Sequence, residues 1–310
     1  MKVLILGATG FIGLPVAQAY VRAGHIVYGQ TRSRSSAVDL AAEEIIPVIC
    51  DPYTDEGRAA WGKIASQVDV FVDILKADGS ASALKTFHHF LSCVSRPKAS
   101  PKPTYIYTGG LWSMSRGPGG LESWTDERQP RSEYNGAVGW RAEIEDPVLL
   151  EPRIHGIIIR PPIMYGRSQS FVASYILDVA FAASKTQHKT FETVGDEDTR
   201  WLTAHQDDVA ELYVRVGERG PACAGQVFLA ANPQTERLRD ILDAVTRVSG
   251  CKGYNLVKAE EPYDKAWVST LNARPSLGAA LAGWYPRKMS LVDGMDVYWS
   301  SYLASKEQKK

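Results

Sequence analysis

The segment GATGFIG, residues 7 to 13, has the glycine spacing of a turn that binds phosphate. It directly follows a short apolar run and directly precedes a segment with helical periodicity. Glycine permits a tight turn and a close backbone approach, and the start of the helix offers unpaired N–H groups. This context predicts a site for the pyrophosphate of a dinucleotide, although a glycine-rich turn without a ligand is the alternative. The predicted contacts are Gly7, Thr9, Gly10, Phe11, Ile12 and Gly13.

The second apolar run leads into GQTRSRSS, residues 29 to 36, where a dinucleotide site often has an acid for the ribose 2′-hydroxyl. Here the first acid is Asp39, and Arg32, Ser33 and Arg34 stand in the turn instead. A guanidinium can bind a phosphate through two charge-assisted hydrogen bonds, each worth roughly 1.5–3 kcal/mol. The turn therefore favours NADP(H) over NAD(H) as the cofactor. A solvated basic turn without a ligand is the alternative.

Strand-like and helix-like segments alternate around these turns every dozen or so residues. Strands are predicted at residues 2–6, 25–30, 45–50, 68–75, 104–108, 155–160 and 226–232. Helices are predicted at about 12–23, 35–44, 55–66, 81–94, 136–150, 168–186, 207–218 and 233–250, with 190–203 extended.

This alternation predicts an α/β fold, a Rossmann-type doubly wound parallel sheet with a smaller C-terminal substrate lobe. We predict that residues 1–165, joined by 204–230, form the dinucleotide-binding domain. Residues 166–203 and 231–310 are expected to form the smaller substrate-binding lobe.

Composition excludes several classes of function. The 310 residues are 45% hydrophobic, which is enough for a large core, and 35 basic residues balance 35 acidic ones. No net charge is therefore available to attract nucleic acid or an anionic membrane. The four cysteines are widely spaced without zinc-site spacing, so no metal site is predicted. The first apolar run is too short for a signal segment or a membrane span, so a cytoplasmic protein is expected.

Five motifs occur in an order that resembles a known superfamily: GATGFIG, TYIYTGG, RPPIMYG, HQDDVAELY and LAGWYPRKMSLVDG. Over nearly its whole length the chain resembles the extended or atypical short-chain dehydrogenases/reductases, in particular the NAD-dependent epimerase/dehydratase-like or nucleoside-diphosphate-sugar epimerase-like proteins. The resemblance implies a Rossmann core that binds NAD(P) and a catalytic set of Ser or Thr, Tyr and Lys. It also implies cofactor contacts at Asp51, Leu75, Thr108, Arg141, Pro161 and Ile163.

The catalytic motif of that superfamily, Tyr-x-x-x-Lys, is altered here. In the matching segment GAVGWRAEIEDPVLL, Arg141 aligns with the lysine and Ala137 with the tyrosine. Tyr134 lies three residues earlier, roughly one helical turn away. At the place of the serine or threonine, Thr108 is followed by two glycines. The candidate catalytic residues are therefore Thr108, Tyr134 and Arg141, and a guanidinium cannot share a proton as an ammonium can.

Aromatic residues follow the fifth predicted strand, at the sheet edge where such folds bind ligands. We predict a substrate pocket lined by Trp112, Met114, Trp140 and Tyr165, and tryptophans that only close the core are the alternative. This lining favours a small aromatic or polyketide-like carbonyl or alcohol substrate. His205 next to Asp207 and Asp208 suggests a dyad, but the start of a helix is the better interpretation.

Three functions are compatible with these features. The first is an NADP(H)-dependent oxidoreductase or isomerase with a non-standard acid/base set and a small-molecule substrate. The second is a catalytically silent NADP(H)-binding sensor or scaffold, and the third is a sugar-nucleotide epimerase or dehydratase. By analogy with similar proteins, a homodimer is also expected.

Overall fold

The computed structural model of the protein describes residues 1–94, 101–114, 124–128, 139–167 and 170–307. The first half of the chain alternates between strands and helices: β1 (Lys2–Leu6), α1 (Gly13–Arg22), β2 (Ile26–Thr31), α2 (Arg34–Ala42), β3 (Ile46–Ile49), α3 (Asp55–Ala65), β4 (Val70–Asp73), α4 (Ser80–Cys93), β5 (Thr104–Thr108), α5 (Ala142–Leu150) and β6 (His155–Arg160).

The second half continues with β7 (Ile163–Tyr165), α6 (Asp178–Ser184), β8 (Thr190–Val194), β9 (Arg200–His205), α7 (Gln206–Glu218), α8 (Gly220–Cys223), β10 (Val227–Leu229), β11 (Thr235–Arg237), α9 (Leu238–Ser249), β12 (Gly253–Val257), α10 (Pro262–Trp267), α11 (Leu277–Ala282) and α12 (Met295–Glu307). Short 3-10 helices occur at Leu111–Met114 and Gly139–Arg141, and a π-helical turn at Ala173–Leu177 precedes α6.

A seven-stranded sheet forms the centre of the molecule, in the order β3-β2-β1-β4-β5-β6-β10. All of its neighbouring strands are parallel. The order reverses between β1 and β4, and in such doubly wound sheets ligands bind at this point, outside the carboxyl ends of the strands. The predicted Rossmann-type fold class is confirmed.

Two layers of helices cover the sheet, because successive side chains of each strand point to opposite faces. Val3 and Ile5 of β1 belong to a core cluster that includes residues of α1, α2 and α7. Leu4 and Leu6 belong to a second cluster with residues of α3, α4 and α5. All four side chains are fully buried, as expected for a strand covered on both faces.

A smaller group of elements contains a third core cluster, with Trp201, Trp267 and residues of α9 and α12. Its strands form a three-stranded sheet in the order β11-β9-β7 and a parallel pair of β8 and β12. After β9 the chain returns to the main sheet, since α7 packs on α1 and β10 pairs with β6. Among the described residues, no helix combines the length and apolar character needed to cross a bilayer.

The predicted strands at 2–6, 104–108 and 155–160 coincide with β1, β5 and β6. The helix predicted from residue 136 is described from Gly139 onward, as a 3-10 turn that continues into α5. The helix predicted over 233–250 is wrong at its start, because Thr235–Arg237 is strand β11, which pairs antiparallel with β9. The buried Glu236 carboxylate accepts hydrogen bonds from Thr203 and from the Val292 N–H, which helps to fix this strand.

A buried ion pair joins β6 to α5. The Arg160 guanidinium and the Glu145 carboxylate are at most 3% exposed, and two hydrogen bonds connect them, one of 3.0 Å from Nε to Oε1. Because a bidentate pair of this kind fixes both distance and orientation, it holds the start of α5 over the ends of β5 and β6.

We expect Glu145→Ala to lower the free energy of unfolding by about 3–5 kcal/mol, because Arg160 would remain charged and buried without its partner. Glu151→Ala is the matched control, since Glu151 pairs with the exposed Arg153 and its loss should cost only about 0–1 kcal/mol. Urea denaturation of both variants measures the difference. Equal losses would show that the buried pair is not the stronger link.

Candidate functional site

The turn between β1 and α1 is so compact that a side chain at Gly7 or Gly13 would clash with neighbouring backbone atoms. Gly7 has a φ of +82°, and a Cβ there would lie 2.9 Å from the Ile74 carbonyl oxygen. At Gly13, a Cβ would lie 2.0 Å from the Gly7 carbonyl oxygen, so α1 packs directly on the turn. No described side chain caps α1, and its first turn contains no acid. The positive end of the helix dipole therefore remains available to an anion.

The side chain of Gln30 fixes this turn to the two neighbouring strands. It is 3% exposed, accepts a hydrogen bond from the Gly7 N–H at 3.0 Å and donates one to the Cys50 carbonyl at 2.7 Å. The Ala8 N–H also donates to the Gln30 carbonyl, at 3.2 Å. Sequence reasoning missed Gln30, although a polar residue near the end of an apolar strand beside the glycine turn was a usable signal.

A cavity of about 230 Å³ opens beside the turn at the carboxyl ends of β1 to β4. Its lining residues are Gly7, Thr9, Gly10, Gln30, Thr31, Arg32, Pro52, Tyr53, Ile74, Leu75 and Lys76. Five of the predicted cofactor contacts are among them: Gly7, Thr9, Gly10, Arg32 and Leu75. Five predicted contacts near the same turns are not: Phe11, Ile12, Gly13, Ser33 and Arg34. The cavity has the position and the backbone groups to receive the adenosine and phosphate part of a dinucleotide.

The basic turn after β2 contributes one cation to the cavity. Arg32 is exposed and lines the wall, whereas Arg34 is the exposed first residue of α2 and does not. Neither guanidinium pairs with a carboxylate in the described part of the chain. Ser33 caps α2 instead, because its hydroxyl accepts the Ser36 N–H at 3.2 Å.

The turn after β3 presents Tyr53 and not Asp51. The Asp51 carboxylate accepts the Tyr53 N–H at 3.0 Å and is absent from the cavity wall, so this predicted contact has a local structural role. Pro52 and Tyr53 line the cavity, and Pro52 has no N–H to donate. Burial, helped by the nearby Asp73, raises the pKa of the Tyr53 phenol. Its buried hydroxyl finds no partner among the described residues and is available to a bound molecule.

A buried carboxylate shapes the turn after β4. Asp73 is 3% exposed and accepts hydrogen bonds from the Leu75 N–H at 3.1 Å and the Tyr105 hydroxyl at 3.0 Å. Burial raises its pKa, although these two bonds and the Arg141 charge oppose the shift. These contacts hold Leu75 in the cavity wall.

Two of the three predicted catalytic residues meet at the end of β5. Arg141 donates a hydrogen bond from Nη1 to the Thr108 carbonyl at 3.2 Å, and its guanidinium lies over the Trp140 ring. The Thr108 hydroxyl is paired with the Tyr213 hydroxyl at 2.8 Å, inside the core, and sequence reasoning missed Tyr213 because it lies on the distant α7. The third predicted residue, Tyr134, lies outside the described residues.

The positive charge of Arg141 influences the pKa of neighbouring tyrosine phenols. Burial raises the pKa of Tyr107 and of Tyr213, and the positive charge of Arg141 lowers both in part. Arg141 lies beside the Tyr107 hydroxyl, yet no hydrogen bond of ordinary geometry joins this hydroxyl to any described residue. Arg141, which the sequence predicts at the position of the superfamily lysine, therefore lies near phenols whose pKa is raised by burial.

Two predicted cofactor contacts, Pro161 and Ile163, lie after β6, where the chain passes from the seven-stranded sheet to the three-stranded sheet. The Pro161 carbonyl accepts the Leu111 N–H at 3.2 Å, and Ile163 begins β7 with 5% exposure. Neither residue lines the cavity beside the glycine turn.

The four predicted substrate-pocket residues occupy different environments. Met114 is 4% exposed and lies in a small apolar cluster. The buried Tyr165 donates its hydroxyl to the Met289 carbonyl at 2.6 Å, and Trp140 is half-buried beneath Arg141. Only Trp112 lies beside exposed aromatic rings.

Those rings belong to Phe171 and Tyr263, whose centroids lie 5.9 and 6.4 Å from that of Trp112. Phe171 is 52% exposed and Tyr263 is 48% exposed. Phe171 also contacts Tyr175, which stacks on the buried Trp267 at 4.6 Å. We call Trp112, Phe171 and Tyr263 the aromatic cluster. Sequence spacing gave no signal for it, because its members come from three distant segments.

His205 has the structural role predicted for it. As the N-cap of α7 it accepts the Asp207 N–H through Nδ1 at 3.1 Å, and Asp207 pairs with Arg167 at 2.8 Å. Burial lowers the pKa of His205. The interpretation of this segment as the start of a helix is confirmed.

We expect Gly109→Ala to lower the free energy of unfolding by about 1–3 kcal/mol, the usual cost of overpacking. The added Cβ would stand 2.7 Å from Glu145 Oε1 and disturb the buried ion pair. Gly110→Ala is the matched control, because its Cβ would meet only Arg141 Cδ, at 3.7 Å. Urea denaturation compares the two, and an equal loss at Gly110 would contradict this geometry.

The chain matches no protein-family model. A curated relative, the uncharacterized protein YLL056C of Saccharomyces cerevisiae, is 25% identical over 330 residues, which cover 97% of this chain and 99% of the yeast protein.

Solved structures with a similar fold cover almost the entire chain. An epimerase-like protein of Burkholderia cenocepacia J2315 has a TM-score of 0.79 and 17% identity, over 98% of both chains. UDP-glucose 4-epimerase of Stenotrophomonas maltophila with bound NAD has a TM-score of 0.76 and 13% identity, over 100% of both chains. Human epimerase family protein SDR39U1 with NADPH has a TM-score of 0.73 and 14% identity, over 97% of this chain and 99% of the human one. The chain therefore has the fold of the epimerase- and dehydratase-like short-chain dehydrogenases/reductases, and the resemblance inferred from its motifs is confirmed at the level of the fold.

Proposed function

We propose that the protein is an NADP(H)-dependent oxidoreductase or isomerase that acts on a small, aromatic or polyketide-like carbonyl or alcohol substrate. The observation that carries this proposal is Arg32, a guanidinium without a described carboxylate partner in the wall of the cavity beside the glycine turn. Of the structures with this fold, the human protein holds NADPH and the Stenotrophomonas enzyme holds NAD. The fold thus accepts both cofactors, and the residues at the end of β2 decide between them.

The residues present fit a dinucleotide phosphate. Gly7 and Gly13 bring the backbone close to the cavity, the start of α1 carries no described cap, and Tyr53 offers a buried hydroxyl without a described partner. The backbone of the glycine turn would hold the pyrophosphate and Arg32 the 2′-phosphate. A bound dinucleotide would supply the hydride acceptor or donor through its nicotinamide ring.

The acid/base groups of this site differ from the usual set. Arg141 would bind the ribose hydroxyls as a fixed cation, since its guanidinium already lies over the end of β5. The Thr108 hydroxyl is already hydrogen-bonded to the Tyr213 hydroxyl, at 2.8 Å. Tyr134 remains the candidate proton donor on the segment before α5.

The aromatic cluster supports the choice of substrate class. Trp112 follows β5, where ligands bind in this type of sheet, while Phe171 and Tyr263 bring exposed ring faces from the smaller lobe. Aromatic rings prefer offset or edge contacts with other rings, so the cluster suits a flat aromatic substrate. It provides no cations for the phosphates of a sugar nucleotide.

A second function is favoured by one observation. Gly109, in the run after Tyr107 where a serine or threonine is expected, has no hydroxyl and no room for a side chain next to Glu145, and Ala137 lacks the phenol. A protein that only binds NADP(H), as a sensor or scaffold, would have these features. Spectrophotometric assays of NADPH oxidation with aromatic ketones separate the two functions. The silent protein would bind the cofactor without turnover.

Titration with both cofactors tests the role of Arg32. We expect wild-type protein to bind NADPH about tenfold or more tightly than NADH, as a charge-assisted bidentate contact allows. Arg32→Ala should remove most of this preference and leave NADH binding unchanged. Arg34→Ala is the matched control and should retain the preference, since Arg34 does not line the cavity. Equal affinities of the wild-type protein for both cofactors would refute the proposed cofactor.

Truncation of the aromatic cluster tests the substrate class. We expect Phe171→Ala and Tyr263→Ala each to raise KM for aromatic ketones about two- to tenfold, the loss of one aromatic contact of about 0.5–1.5 kcal/mol. The KM values for small aliphatic ketones should stay nearly constant. Leu150→Ala, which removes an exposed apolar side chain at the end of α5, is the control. A cluster variant with unchanged KM for aromatic ketones would place the substrate elsewhere.

A further inference from the structure

The loop after β4 carries a cation that no motif accounts for. Lys76 lines the same cavity as Arg32, is exposed, and forms no ion pair with any carboxylate in the described ranges. We propose that Lys76 binds the pyrophosphate of the dinucleotide, so that two separate cations serve its two phosphate centres. This inference rests on the proposed cofactor function and adds a binding residue to it.

The order of the strands separates the two cations. The glycine turn follows β1, Arg32 follows β2 and Lys76 follows β4, and the sheet order is β2-β1-β4. Neighbouring strands lie about 4.8 Å apart, so the ends of β2 and β4 are about 10 Å apart, with the glycine turn between them. In this fold the pyrophosphate lies on that turn and the 2′-phosphate lies toward the end of β2. Lys76 therefore faces the pyrophosphate from the side opposite to Arg32.

The backbone near Lys76 packs directly on the glycine turn. The Ile74 carbonyl oxygen and the Leu75 nitrogen would lie 2.9 and 3.6 Å from a Cβ at Gly7. The Ile74 N–H donates to the Leu6 carbonyl at 3.1 Å, and Asp73 fixes the Leu75 N–H. The loop therefore holds the Lys76 backbone at the edge of the turn, within the reach of a lysine side chain.

The helix N-terminus alone does not balance the negative charge of a pyrophosphate, so an additional cation such as a lysine would stabilise it. A helix N-terminus supplies only about half of one positive charge, whereas the pyrophosphate of a dinucleotide carries more than one negative charge. An ammonium is a mobile point charge that suits phosphate oxygens without a fixed bidentate geometry. Lys76 supplies the additional positive charge at the pyrophosphate. Arg32 makes the planar contact with the 2′-phosphate.

Isothermal titration calorimetry with four ligands tests the division of roles. The ligands are NADPH, NADH, ADP-ribose, which has the pyrophosphate alone, and 2′-AMP, which has the 2′-phosphate alone. Lys76→Ala should weaken NADPH, NADH and ADP-ribose by a common factor of about ten and leave 2′-AMP unchanged. Arg32→Ala should weaken only NADPH and 2′-AMP. For NADPH the double variant should lose the product of both factors, because the two contacts are independent.

Two further variants make the result specific. Lys76→Arg keeps the charge and should retain most of the affinity for ADP-ribose, whereas Lys252→Ala removes one exposed positive charge elsewhere and should change none of the four values. Unchanged NADH and ADP-ribose affinities in Lys76→Ala would overturn the inference, as would a loss confined to NADPH and 2′-AMP.

The proposed cofactor preference can fail separately. If wild-type protein binds NADPH and NADH equally while Lys76→Ala still weakens both, the preference is refuted and the pyrophosphate role of Lys76 stands. No measurable binding of any of the four ligands overturns both.

Discussion

The structure of the site depends on one close contact, that between the glycine turn after β1 and the loop after β4. Gly7 adopts a backbone conformation that favours glycine and has no space for a Cβ next to the Ile74 carbonyl. Because the two loops touch at the backbone, Gly7 and Ile74 lie side by side in the wall of the cavity. Gln30 extends the same constraint to β2 and β3 through hydrogen bonds to both of its neighbours. Rigid backbone donors are what a phosphate site requires.

A second steric constraint acts at the end of β5. Gly109 must remain without a side chain because the buried Arg160–Glu145 pair fills the space next to it. That pair holds the start of α5, and the start of α5 places Arg141 over the Thr108 carbonyl. Arg141, which the sequence predicts at the position of the superfamily lysine, is therefore held through α5 by a buried ion pair.

The sequence predicted the parts of the fold that local patterns determine. Apolar runs bounded by glycine or proline gave β1, β5 and β6 to the residue, and the glycine turn identified the cavity. Predictions were wrong or absent where distant segments meet. The sequence predicts helix where strand β11 lies, because the pairing of β11 with β9 is not visible in the local pattern. Tyr53 and Lys76 were missed because the loops after β3 and β4 carry no motif, and their role follows only from the strand order.

In the proposed oxidoreductase, the altered motif that the sequence predicts would change how proton transfer and positioning share the acceleration of the reaction. General acid or base assistance typically accelerates a reaction by about 10²- to 10⁴-fold, which corresponds to about 3–5 kcal/mol. Positioning of the reactants can supply roughly 7–11 kcal/mol. The glycine turn, Gln30 and Arg141 would serve positioning in that reaction, since hydrogen bonds hold them in place. In the proposed oxidoreductase, such positioning groups would still support hydride transfer, at a rate set by whichever hydroxyl reaches the substrate oxygen.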